Sequence, residues 1–95
     1  MNDRSAAAAR LPSEDAVEAA ILAVAGRPDA LRTITPEEVA RSLAQGPDWQ
    51  SLLPLVRRCA IRLAEAERLV IYRKGKPVDP ADFRGVYRLG LPPQG

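Results

Sequence analysis

The basic residues in the second half of the chain have types and spacing that could do chemistry, and that chemistry is contact with an anion. Arg57, Arg58, Ile61 and Glu65 recur at the i, i+3 and i+4 intervals of one helix face, and Arg62 flanks it. Gln50 and Ser51 stand before them, and Arg73, Lys74, Lys76 and Arg84 follow. A guanidinium fork meets two acceptors at once, on a phosphate or a guanine edge, and glutamine suits adenine. An outward apolar group such as Ile61 can touch a thymine methyl, while lysines neutralise phosphates whatever the base. All of these but Glu65, ten residues, are the nucleic-acid-binding candidates, and Arg41 is a further candidate for backbone contact. The plain alternative is that Arg57, Arg58 and Arg62 solubilise a helix and pair with Glu65 and Glu67, with Lys74-Gly75-Lys76 an ordinary basic turn.

Other chemistries find little support. There is no histidine, the commonest general base and metal ligand. Cys59 falls on an apolar helical stripe between Val56 and Leu63, where a cysteine acts as a small core hydrophobe. Glu37-Glu38 resembles an acid pair, but both fit the N-terminal turn of a helix. No Cys, His or carboxylate cluster has metal-ligand spacing, and no glycine pattern reads as a phosphate loop. The expectation is a non-enzyme with no cofactor, no metal and no small-molecule substrate.

Charge is divided along the chain. Residues 1–50 carry five Arg against eight Asp or Glu, a balance of −3, and residues 51–95 carry nine Arg or Lys against four acids, a balance of +5. An acidic front and a basic back suit one surface to an anionic partner. Of the 14 basic residues 12 are Arg, which favours bidentate contacts and equally reflects a GC-rich genome. No apolar run approaches the roughly 20 residues of a membrane span. Ala6–Ala9 is too short and too weakly apolar for a secretory signal core. A single cysteine cannot form an intramolecular disulfide, so a cytoplasmic location is expected.

The elements that must position the basic set come next. Residues 1–12 read as a disordered tail, 13–91 as one domain and 92–95 as a C-terminal tail. Ser13 caps a first helix with Val17, Ala20, Ile21 and Val24 on one face, and Gly26 and Pro28 end it. Residues 27–32 read as a loop, and Thr33-Ile34 as a very short strand. Thr35-Pro36-Glu37-Glu38 is a capping box with proline at the first helical position, opening a short helix that Gly46-Pro47 stops. Asp48 can cap the next element. A turn at 48–52 then runs into a helix of about 54–67, interrupted in its apolar stripe by Pro54. Leu69–Tyr72 and Val86–Leu89 read as strands joined by a connection of about ten residues, too long for a tight turn. The core set is Val39, Leu43, Trp49, Leu52, Val56, Cys59 and Leu63. Tyr72 and Tyr87 face one another or the core across the hairpin.

This order describes a mainly α protein with a small β-hairpin, a winged helix-turn-helix of three helices and a two- or three-stranded wing sheet. The residues that carry it are Pro36-Glu37-Glu38-Val39-Ala40-Arg41, Trp49, Leu52, Pro54, Val56-Arg57, Ala60, Leu63, Lys74-Gly75, Val78-Asp79-Pro80, Gly85 and Tyr87-Arg88-Leu89. Together they resemble a small bacterial winged-helix family catalogued as a domain of unknown function, over about residues 14–91. The resemblance implies a stand-alone winged helix and supplies no substrate, cofactor or catalytic residue. The chain departs from the family pattern at Thr35-Pro36-Glu37, where a Pro-Ser pair often precedes the acid. It departs again at Glu67, where a glycine often separates the long helix from the hairpin.

In such a fold the N-terminal part of the second helix of the pair enters the major groove and the wing lies on the phosphates. The expected partner is double-stranded DNA, bound weakly or without sequence preference, in transcriptional regulation or as an accessory factor. The alternative is a protein-interaction module or homodimer that uses exposed Ile61 and its neighbours instead of the arginines.

Overall fold

The computed structural model describes residues 12–27, 33–44 and 46–93. The tail expected over residues 1–12 lies outside these residues except for Pro12. The same holds for the loop expected at 27–32, except for Arg27.

Helix α1 spans Glu14–Ala25. The Ser13 hydroxyl accepts the Ala16 N–H at 3.1 Å, and Glu14 and Asp15 sit against the positive end of the helix. At the other end the Gly26 N–H closes on the Leu22 carbonyl. Helix α2 spans Pro36–Leu43 and starts with the expected capping box. Thr35 accepts the Glu38 N–H at 3.2 Å while the Glu38 carboxylate accepts the Thr35 N–H at 3.0 Å.

The junction to the next helix is a 3-10 helix, Gly46–Leu52, running directly into α3, Leu53–Glu65. Asp48 therefore lies inside an element instead of capping one. Its carbonyl accepts the Ser51 hydroxyl at 2.8 Å. Pro54 sits in the first turn of α3, where its missing N–H leaves no helical bond unmade.

Helix α3 ends two residues earlier than its apolar stripe suggests, and the reason is at Glu67. That residue has φ +63°, in the left-handed region. Its N–H donates to the Ala64 carbonyl at 3.0 Å, and the Arg68 N–H reaches back to Leu63 at 2.9 Å. This is a Schellman termination with glutamate where glycine is usual. The departure from the family pattern thus leaves the geometry in place and puts the left-handed conformation on an L side chain.

Strands β1, β2 and β3 span Val70–Arg73, Lys76–Pro77 and Arg88–Gly90. They form one antiparallel sheet in the order β2-β1-β3. Lys74-Gly75 is a two-residue turn with both φ angles positive, 53° and 82°, which sets Arg73 opposite Lys76. The expected single connection of about ten residues is therefore corrected. The chain makes a tight hairpin at once and then a second, longer excursion before β3. Asp79 orders that excursion by accepting the Ala81 N–H at 2.9 Å on its side chain and the Asp82 N–H on its carbonyl. The short strand expected at Thr33-Ile34 is present as a bridge, with Ile34 and Leu89 exchanging both backbone bonds at 2.7 and 2.8 Å. Val86-Tyr87 lies before β3, not within it.

The core joins all these pieces. Val17 and Ile21 of α1, Val39 of α2, and Val56 and Cys59 of α3 meet Ile34, Ile71 and Leu89 from the sheet side. Leu43 and Trp49, expected inside, are half-buried at its margin. Of the two alternatives for the tyrosines, Tyr87 faces the core and meets Phe83 edge to face at 5.3 Å, while half-buried Tyr72 stands opposite Arg88 instead of Tyr87. The layout is that of a winged helix: three helices and a three-stranded sheet, mostly helical, with a small wing. Among the described residues, no helix is long and apolar enough to cross a membrane.

Candidate nucleic-acid interface

The candidate residues divide into three groups once the elements are in place. The first group is used up inside the fold. Arg57 leaves α3 sideways and lies over the Phe83 ring at 4.1 Å, with Tyr87 at 5.7 Å, and it donates to the Phe83 carbonyl at 2.9 Å. Arg73 donates from Nε to the Val86 carbonyl at 2.9 Å. Both arginines bind the long excursion of the wing to the rest of the domain. Ile61 also belongs here, because it is half-buried and packed on the core instead of standing free on the surface.

The second group is paired. Arg58 meets Glu14 at 3.0 Å, and Arg62 meets Glu14 and, at 3.6 Å, Glu18. The partners are acids of α1, not Glu65 of their own helix or Glu67 at its exit. The Arg58 and Arg62 side chains remain 64% and 53% exposed, so these pairs are screened and worth at most about 1 kcal/mol each. Arg41 is similarly paired with Glu37 at 2.7 Å and lies over Trp49 at 4.4 Å.

The third group is exposed and, among the described residues, makes no ion pair: Lys74, Lys76 and Arg84 on the wing, with Gln50 and Ser51 in the 3-10 helix before α3. The exposed face of α3 is made by Pro54, Arg58, Arg62 and Glu65, with Ile61 at its edge against the core. The exposed candidate cations that form no ion pair among the described residues are thus those of the wing, and the exposed face of α3 carries both signs of charge.

Three features were not legible in the sequence. Phe83 is buried and anchors the wing excursion from a stretch that reads as polar loop. Arg88 donates to the Thr33 carbonyl at 3.1 Å and so ties β3 to the entry of α2. A cleft of about 530 Å³ opens between the start of α2, Trp49 and Leu53 on one side and Gly85–Arg88 on the other. Val86 stands at its lip, 84% exposed. No periodicity marks Val86 as exposed, since it occupies what reads as a strand position.

The titratable groups include no activated thiol. Cys59 is fully buried, and desolvation, followed by the carboxylates of Glu14 and Glu18, pushes its thiol above the usual range. A raised thiol holds its proton and is a poor nucleophile. Burial likewise raises the Tyr87 hydroxyl, with Arg57 opposing the shift. Among the described residues no three His, Cys, Asp or Glu side chains gather as a metal site would require.

Residues 14–92 match the model of a family described as proteins of unknown function (DUF3253). The chain belongs to that family. The match spans both helices of the pair and the whole wing, in agreement with the resemblance drawn from the sequence. No curated protein matches the chain.

Proposed function

We propose that this domain binds duplex DNA with weak sequence selectivity, in transcriptional regulation or as an accessory factor, and that the wing supplies most of the contact. The observation that carries this is the set Lys74, Lys76 and Arg84, exposed cations with no ion-pair partner among the described residues, two of them flanking Gly75 in the β1–β2 hairpin and the third beside Gly85. Lysines at a hairpin turn suit phosphates, and Gln50 and Ser51 offer groups that could reach a base edge. Arg58 and Arg62 add a second tier, because an exposed pair with Glu14 exchanges for a phosphate at small cost. Affinity of this kind comes chiefly from counterion release and falls linearly with the logarithm of salt, by about 0.9 per phosphate neutralised. A cytoplasmic location accords with it, since the lone cysteine there stays reduced.

Fluorescence anisotropy of a labelled duplex at low salt is the test. Binding at micromolar protein is expected. The Lys74→Ala, Lys76→Ala, Arg84→Ala triple variant should weaken it and flatten the salt slope by about 0.9 for each phosphate left without a cation. Absence of any binding under these conditions removes the proposal. A second reading, a protein-interaction module, is favoured by one observation: the apolar cleft with Val86 exposed at its lip.

A further inference from the structure

We infer that the cleft between α2, the 3-10 helix and the wing docks a peptide segment that carries one bulky apolar side chain flanked by acidic residues. This goes beyond DNA binding and does not depend on it. The apolar part of the argument rests on the walls. Trp49 and Leu53 stand on one side and Val86 and Tyr87 on the other, and the volume of about 530 Å³ is ample for one large side chain. Val86 is 84% exposed, far more than Leu91 at 39%, the other exposed large hydrophobic among the described residues. An aliphatic group held out beside an apolar cleft has packing surface left unused in the isolated chain.

Charge selects the occupant. On the wing side Arg88 lines the cleft while its guanidinium donates to Thr33, exposed Arg84 stands next to the lining Gly85, and the Arg73 guanidinium lies directly behind Gly85. On the opposite lip the Glu37 carboxylate is held by Arg41 at 2.7 Å, so the one acid lining the cleft is already neutralised. Asp82 lies two residues from Arg84 but, among the described residues, forms no ion pair with it. Acidic residues on either side of the apolar anchor would therefore meet positive charge.

Three competing occupants fit less well. A duplex has no bulky apolar group to seat between Trp49, Leu53 and Val86. A second copy docking by two-fold symmetry would bring two like-charged rims into one interface. A peptide added as a strand finds β3 already paired on both edges, by β1 and by Ile34. Recognition must then come from the side chain in the cleft and the charges around it.

Trp49 is the single tryptophan of the chain and lines the site, so its emission reports occupancy directly. The probe is a blocked synthetic peptide of acidic residues around one leucine. Saturable change in Trp49 emission is expected, with Kd below about 1 mM. The same peptide with alanine for leucine should bind at least about tenfold more weakly, the worth of one buried apolar side chain. Val86→Asp should abolish the response, and Arg84→Glu should weaken it. Both positions are exposed, so unchanged thermal melts will show that these variants fold. No emission change at millimolar peptide overturns the inference. Equal binding of the alanine peptide overturns it too, by showing simple charge attraction. Loss of duplex affinity in Val86→Asp, or a dimer in sedimentation equilibrium that Val86→Asp dissociates, would assign the cleft to DNA or to self-association instead.

Discussion

The arginines of the helix face and the arginines of the wing have the same chemistry and opposite roles. On the face shared by α1 and α3, Arg58 and Arg62 reach Glu14 and Glu18 through exposed, salt-screened pairs. On the wing side, Arg57, Arg73 and Arg88 each donate to a backbone carbonyl, of Phe83, Val86 and Thr33. The first set can exchange partners at little cost. The second holds irregular chain in place, because a loop carbonyl outside any ladder takes a donor that a planar guanidinium supplies, and Arg57 adds stacking on Phe83. The lesson is that an arginine near a wing is not by that fact a ligand for DNA.

The comparison breaks most easily at Arg57. Arg57→Ala removes a charged hydrogen bond and the stacking on Phe83, and should destabilise the domain by about 2–3 kcal/mol. Urea denaturation measures this. Arg57→Lys should recover little of it, since an ammonium has no planar fork. If Arg57→Ala instead melts like the parent and loses duplex affinity, the division between the two sets is wrong.

Gly85 sharpens the same point from the other side of the wing. It has φ +82°, and a Cβ there would lie 2.9 Å from the Arg73 guanidinium. Gly85→Ala should cost roughly 1–2 kcal/mol, mostly from the left-handed backbone, because the arginine end can shift. Its thermal melt should fall by about 4–8 °C per kcal/mol.

Glu67 predicts the opposite sign. Glu67→Gly relieves the left-handed glutamate at the α3 exit and should stabilise by about 0.5–1 kcal/mol, after the added entropy of glycine in the unfolded chain. Because Glu67 is none of the groups proposed to contact the duplex, duplex affinity should stay close to that of the parent.

The helix-face pairs carry the smallest stability effect. Glu14→Gln with Glu18→Gln should cost less than about 1 kcal/mol, and the difference should shrink further in high salt. The same variant frees Arg58 and Arg62 and should tighten duplex binding. Alkaline pH probes the wing by contrast. The Tyr87 hydroxyl has a folded pKa raised above its unfolded value of 10.0, so above pH 10 the unfolded state loses its proton first. Stability should then fall with rising pH until the folded pKa is passed, and Tyr87→Phe should remove that contribution.

How much of this was legible in the sequence varied with how local the cause was. The capping box at Thr35-Glu38, the Ser13 cap, the helix pair and the buried Val56, Cys59 and Leu63 were all readable, because caps and 3.6-residue periods are short-range rules. The tight turn was hidden because Lys74-Gly75 merges into a longer polar stretch, although a residue-glycine pair before a new strand is a known hairpin signal. The roles of Arg57 and Arg73 could not be read at all. Their partners lie 26 and 13 residues along the chain, on carbonyls that every residue type provides. For Arg58 and Arg62, helical spacing points to acids of their own helix, whereas the packing of α1 against α3 brings Glu14 and Glu18 to them.

The sheet margin has a last consequence, for colloidal behaviour. Strand β2 is two residues long, ends in Pro77 and presents Lys76, while the far side of β3 is closed by Ile34. A strand so short, with proline and lysine on it, is a poor template for a neighbouring chain. Concentrated protein should therefore resist edge-to-edge fibril growth, even though a wing built of β-branched and aromatic residues has the composition that promotes it.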